Sequence, residues 1–229
     1  MKLKLIYFNM PVWRAEISRI ALFMNDIAFE DRRISNDEWK YCKENGELPD
    51  GTYVPFRQFP VLEVDGEIIA QAASIGRFCG KLTNLYPKND DLFAARIDQI
   101  LDAATDINLL MRPSFREKDN AKILELRKNL SNIEIPEWYG YLEKLILKNS
   151  YKWIAGDKFS IADIAIWRLA GWLKSGLIDN VNTKIIEDFP SLNNLCFEVA
   201  NIEKIKKWVD KTYPDHYKKY LSDSVIKWQ

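Results

Sequence analysis

Tyr7 is the first side chain in the chain whose type and position could do chemistry. It closes an alternating apolar run just before a helix start, and ligands of open α/β sheets gather at such carboxyl edges. A phenol donates a hydrogen bond to a neighbouring anion, and a helix N-terminus beside it adds positive potential. Judged by spacing alone, a strand-end tyrosine more often packs its ring and wets its hydroxyl. Trp39 and Lys43 fall four apart on a helix, hence on one face, which puts an indole N–H and an ammonium side by side. The commoner outcome for such a pair is a packing Trp and a solvated Lys. Asp98, Asp102 and Asp106 recur every four residues, a like-charge stripe that costs a helix ~0.2–0.5 kcal/mol per pair. The plain account is a solvated face neutralised by nearby Lys or Arg.

The elements that must hold these groups follow from periodicity. Leu3, Leu5 and Tyr7 mark a first strand ending near Phe8, and Ile17, Ile20, Ala21 and Met24 mark a helix. The segment 29–34 alternates again, giving a βαβ unit, and 36–45 suits a short polar helix. Residues 46–56 hold two Gly and two Pro and are expected as loop. Val61–Val64 and Ile68–Ala70 flank Asp65-Gly66, the strongest short hairpin signal, because a primed turn needs positive φ. Pro60 opens the first hairpin strand. Its bond to Phe59 is a candidate for the cis form, which would turn the Phe59 backbone outward. A helix over 71–82 completes a β-α-β-α-β-β-α unit. Everything after the punctuation at 85–91 reads as helical: one helix from Ile97 to Met111, one from Ile123 to Lys148 interrupted near Pro136, and a core helix from Ile161 to Leu173. Two more are expected over 185–200 and 202–212. Ser160 with Asp163 forms a capping box, so Asp163 is expected to be structural.

The totals exclude some classes. The 33 basic and 33 acidic residues cancel, which argues against the basic face that a nucleic-acid partner requires. Three scattered cysteines, Cys42, Cys79 and Cys196, form no CxxC pair, so a reduced, cytoplasmic setting fits best. The lone His216 cannot support a multi-His metal site. No apolar run reaches membrane-spanning length, and Met1-Lys2 leads into a strand pattern, not a leader.

Taken jointly, several motifs resemble the sigma class of the glutathione transferases: Tyr7-Phe8-Asn9-Met10, Arg14-Ala15-Glu16-Ile17, Glu30 to Ile34, Trp39, Lys43, Phe59 to Gly66, and Phe159 to Asp163. The resemblance covers nearly the whole chain. It implies a thioredoxin-like α/β domain over 1–83, a linker over 84–90 and an all-helical domain over 91–229. It also implies a homodimer that takes glutathione and a small-molecule electrophile; prostaglandin isomerisation occurs within the same class. Some sigma relatives hold a divalent cation on the carboxylate stripe, but Thr105 replaces one acid of that set, so no metal is expected. Tyr7 would donate to the glutathione sulfur. A free thiol has a pKa near ~8.5, and a hydrogen bond to the thiolate lowers it. Phe8 and Arg14 would lie near the thiol, and Trp39 and Lys43 would meet the glycyl carboxylate. Gln58 would make a further contact near that same glycyl end, and the Phe59 main chain would hold the cysteinyl unit. Gln71 and Ala72 would take the γ-glutamyl carboxylate at a helix start, and Asp106 would reach the partner subunit's glutathione amine.

Two positions depart from the family pattern. A Gln-Ser pair is usual where this chain has Gln71-Ala72, so a hydroxyl is missing; one lost hydrogen bond to a charged group costs ~1.5–3 kcal/mol. Ser74 points elsewhere on the helix. Pro11-Val12-Trp13 replaces a shorter Arg-Gly segment. That loop would either wall the electrophile site or leave Trp13 as a surface aromatic. Two functions are therefore weighed: a transferase activated by Tyr7, or a weakly catalytic protein of the same fold that binds glutathione or hydrophobic ligands.

Overall fold

A computed structural model describes residues 1–213; His216 and the aromatic tail with Tyr217, Tyr220 and Trp228 lie outside the described residues. The N-terminal elements are β1 (Leu3–Phe8), α1 (Trp13–Met24), β2 (Glu30–Ile34), α2 (Asn36–Asn45), β3 (Val61–Val64), β4 (Glu67–Ala70) and α3 (Ala72–Thr83). The sheet order is β2-β1-β3-β4. β1 pairs parallel with β2 and antiparallel with β3, so Tyr7 lies opposite Arg33. The hairpin turn has φ +50° at Asp65 and +95° at Gly66, the primed geometry that the dipeptide requires. The Phe59–Pro60 peptide is cis. Ser35 and Glu38 close a capping box on α2, and Gly46 ends it at φ +80°.

Ten residue positions separate β4 of the hairpin from the packing contact that α3 makes with the helical part, and one glycine permits it. A Cβ at Gly80 would stand 2.8 Å from Tyr86 Cβ and 3.1 Å from Ile161, so only Gly allows this approach. α3 ends with Asn84 in the left-handed region, and Asp90 caps the next helix through a bond from Phe93 N–H.

The remaining helices are α4 (Asp91–Leu110), α5 (Arg112–Arg116), α6 (Asn120–Asn129), α7 (Ile135–Asn149), α8 (Ile161–Lys174), α9 (Pro190–Ala200) and α10 (Glu203–Thr212). The first long helix is α4, with Met111 as its C-cap, and α5 restarts with Pro113 in its first turn. Two expectations need correction. The segment expected as one helix broken near Pro136 is α6, a π-helical turn over Leu130–Glu134, then α7. Proline lacks the N–H that an α-turn needs there, and the wider turn absorbs the loss. The helix expected over 185–200 is a 3-10 turn, Ile185–Asp188, followed by α9 opening on Pro190. α8 is buried almost all round, with Trp167 at 0% exposure, and packs against α1, α4 and α9. It is the common wall between the sheet unit and the helical unit.

Candidate functional site

Tyr7 stands at the carboxyl end of β1 and is only 4% exposed, yet it lines two adjoining cavities. Its ring is backed by Arg19, whose guanidinium carbon lies 5.8 Å from the ring centroid. Arg19 is fixed in turn: Nη1 donates to Glu16 Oε1 at 3.0 Å and Nε to Asp31 Oδ1 at 2.8 Å. Burial opposes its charge, but those two carboxylates more than restore it and raise its pKa. Glu16 also accepts from Trp208 Nε1 at 2.8 Å and Tyr213 OH at 3.0 Å, so α10 is tied to the same buried cluster. The tyrosine therefore rests on a satisfied ionic network and has little room to move.

The first cavity, about 490 Å³, brings together seven of the residues expected at the site: Tyr7, Phe8, Arg14, Trp39, Lys43, Gln58 and Phe59. Phe8 meets Trp39 and Phe59 edge-on, with centroids 5.9 and 5.8 Å apart. Lys43 Nζ lies 4.3 Å over the Trp39 ring, the contact that their spacing on α2 allows. Arg57, at φ +50°, donates Nη1 to the Lys43 carbonyl at 2.8 Å and so ties the loop after α2 back onto that helix. Leu48 and Val54, both at 0% exposure, anchor the loop's base. Phe56, Arg57 and Gln58 complete the cavity's rim. Among the described residues, no main-chain bond occupies the N–H or carbonyl of Phe59.

Gln71, Ala72 and Asp106 do not line that cavity. Gln71 holds φ +75°, ψ +120° at the N-cap of α3 without a side-chain cap bond. Such backbone costs a non-glycine residue of order 1–3 kcal/mol, and it persists where surrounding structure imposes it. Ala70 pairs with Val61, so Gln71 lies one step beyond the ladder, beside the Phe59–Pro60 segment. Ala72 opens α3, where main-chain N–H groups lack helical partners. Asp106 is exposed on α4. For the other two carboxylates of that stripe the plain account holds: Arg77 of α3 bonds Asp98 at 2.6 Å and Asp102 at 3.0 Å.

The second cavity, about 390 Å³, lies on the other side of Tyr7 and is lined mainly by apolar side chains, including Met10, Val12, Trp172, Leu177 and Ile178. Of the two readings of the Pro11–Trp13 loop, the surface aromatic fails, and Val12 and Trp13 wall this cavity. Trp13 is the first residue of α1 and is 2% exposed. Its Nε1 donates to Asn108 Oδ1 at 2.6 Å, and Arg14 Nε donates to the same oxygen at 3.0 Å. Arg14, the next residue of α1, lines both cavities. Arg168 fixes the loop from behind, donating Nη2 to the Pro11 carbonyl at 2.6 Å. Asn108, Phe115, Trp172, Arg112 and Arg116 were not singled out by sequence. The four-residue interval between the two arginines is the signal that was available; Trp172 was read only as core.

The chain's own thiols are unsuited to attack. Burial pushes the Cys79 thiol up to about 12 and raises Cys196 and Cys42 as well. Asp163 is buried in the capping box: Ile154 N–H donates to one oxygen at 2.9 Å, and the Ser160 N–H and hydroxyl to the other at 2.8 and 3.0 Å. It lines neither cavity and acts structurally, as expected.

Residues 105–212 match a family model described as glutathione S-transferase, C-terminal domain. The chain is 31% identical over 160 residues to glutathione S-transferase 2 of Caenorhabditis elegans, covering 66% of this chain and 78% of that one. It is 29% identical over 214 residues to glutathione S-transferase 1 of Ascaris suum, covering 90% and 94%. Among solved structures, prostaglandin synthase D of Nilaparvata lugens superposes with a TM-score of 0.79 at 29% identity, over 92% of this chain and 98% of that one.

Proposed function

Because the chain belongs to the glutathione S-transferase family, we propose that it joins the glutathione thiolate to apolar electrophiles, with the Tyr7 hydroxyl as the hydrogen-bond donor that activates sulfur. The observation that carries this reading is the position of Tyr7 on the wall shared by a polar, cationic cavity and an apolar one. The glycyl and cysteinyl part of the tripeptide suits the first, and an apolar electrophile suits the second. Sulfur held between them lies within reach of both. In the ordinary thiol only a few per cent is ionised at neutral pH. A phenol donor favours the charged form, and the cations around the cavity act in the same direction.

The tripeptide's grip is part of the same proposal. Trp39 and Lys43 take the glycyl carboxylate with Gln58 beside them, the unoccupied main chain of Phe59 takes the cysteinyl unit, and Phe8 and Arg14 flank the thiol. Gln71 presents the N-terminus of α3 to the γ-glutamyl carboxylate, with the Ala72 N–H as donor. The division at 84–90, a cytoplasmic homodimer and a reach of Asp106 to the partner's glutathione belong to this reading too.

Retention on immobilised glutathione, followed by conjugation of chlorodinitrobenzene, tests it. The sulfur–carbon bond forms as chloride leaves; failure of both steps would remove the assignment. The second reading, a binder with little turnover, draws support from the missing hydroxyl at Ala72. Ala72→Ser should restore one charge-assisted bond and lower the Kd for glutathione about tenfold, measured by calorimetry. An unchanged Kd would show that the γ-glutamyl carboxylate is held elsewhere.

A further inference from the structure

More positive charge surrounds the site than one tripeptide uses. Arg112 and Arg116 of α5 line the first cavity together with Arg14, Lys43 and Arg57, and among the described residues no carboxylate lines it. The two α5 arginines are exposed and four apart on one short helix, where like charges repel. Neither has a hydrogen-bond or ion-pair partner among the described residues, whereas Arg14 and Arg57 are held by Asn108 and the Lys43 carbonyl. The nearest acid in sequence, Glu117, is turned away: its carboxylate accepts from the Lys118 and Asp119 N–H groups at 2.7 and 3.0 Å.

A third cavity of about 220 Å³ explains where those charges point. Arg112, Arg116 and Phe115 line it, with Arg14, Asn108 and Gln58. Arg14, Asn108 and Phe115 line the apolar cavity as well, so the two spaces share a wall. Phe115 stacks on Trp172, with centroids 6.2 Å apart and planes at 21°, and Arg127 sits 5.8 Å from its ring. A firm aromatic step thus joins an apolar chamber beside Tyr7 to an unneutralised pair of guanidinium groups.

Building on the transferase reading, we propose that the second substrate is an anionic amphiphile: an electrophilic carbon on an apolar body that fills the chamber of Met10, Trp13 and Trp172, and a carboxylate that Arg112 and Arg116 receive. Guanidinium groups suit this task because they bind carboxylate in a fixed, two-point geometry. For an α,β-unsaturated ketone the step balances as follows. The thiolate sulfur bonds to the β-carbon, the C=C π pair shifts to leave negative charge on the carbonyl oxygen, and the α-carbon then takes a proton from water.

The test compares ethacrynic acid with its methyl ester, each kcat/KM divided by the uncatalysed rate with glutathione. The expected acid-to-ester ratio is roughly ten for the native protein, the worth of one charge-assisted contact at an exposed site. It should fall towards one in the Arg112→Gln/Arg116→Gln double variant and as salt rises to about 1 M, where screening is short-ranged. Circular dichroism of that variant, and its ester rate, separate loss of the anion contact from loss of fold. Turnover of both compounds with a native ratio near one, or a ratio that survives the double substitution, overturns this inference and leaves the transferase reading standing. Turnover of neither, with no retention on glutathione, overturns both.

Discussion

Tyr7→Phe should lower kcat for chlorodinitrobenzene conjugation by about 100-fold at pH 6.5, and by far less above pH 9. The magnitude comes from one hydrogen bond to a charged sulfur, about 1.5–3 kcal/mol, at about 1.4 kcal/mol per factor of ten. The pH dependence follows from its role. The bond's effect is to keep sulfur ionised where a free thiol would be protonated. Once pH exceeds the free thiol's pKa, near ~8.5, sulfur is ionised without help and most of the deficit closes. The pH–rate profile of the variant should therefore move to higher pH with its plateau nearly retained. The ring contacts survive the substitution: a phenylalanine ring at this position still sits 5.8 Å from the Arg19 guanidinium and edge-on to Phe8. A profile that does not move would remove Tyr7 from the activation step, whatever happens to the rate.

Asp163→Ala should cost about 3 kcal/mol of stability, without any residue of the site being touched. The carboxylate is fully buried and serves three donors, two of them main-chain N–H groups, at Ile154 and Ser160. Alanine leaves both buried N–H groups without their partner, at about 1–3 kcal/mol each. For a chain of this size that corresponds to a drop in Tm of about 6–12 °C by calorimetry. The effect should reach function only through folding, because α8 is the element against which α1 and α4 both pack.

The same group gives a pH signature. Burial, partly offset by its hydrogen bonds, raises the Asp163 pKa to about 6, above the ordinary carboxylate value near ~3.9. Between those values the folded chain holds a proton that the unfolded chain has released. Its contribution to stability therefore falls as pH rises from about 4 to 6, and is level above that. Asp163→Asn keeps the volume but cannot ionise. Subtracting its stability–pH curve from that of the native protein should isolate this slope. A difference curve that is flat over that window would show that the hydrogen bonds, not burial, set the pKa.

How much of this was legible in the chain itself depends on the range of the interactions. The hairpin at Asp65-Gly66, the capping box at Ser160 and the pairing of Trp39 with Lys43 are local. Each needs only the φ values or side-chain reach of a few neighbouring residues, and each is present in the fold. The helix breaks at Pro136 and Pro190 are local too, but their outcome is not. A missing N–H says that an α-turn must fail, while packing decides whether the chain answers with a π-turn or a fresh start. Cavities are further removed still. Arg14, Asn108 and Trp13 are 94 and 95 positions apart in the chain where they bond, and no periodicity within α1 or α4 reveals that meeting. Amino-acid order determined which segments are strands, helices and turns, and it placed a phenol at a sheet edge. Tertiary structure alone decided that Trp13 is buried rather than exposed, and that two unpaired arginines of α5 face the same space as that phenol. Local rules act through covalent neighbours, whereas the shape and charge of a cleft arise from surfaces that only folding brings together.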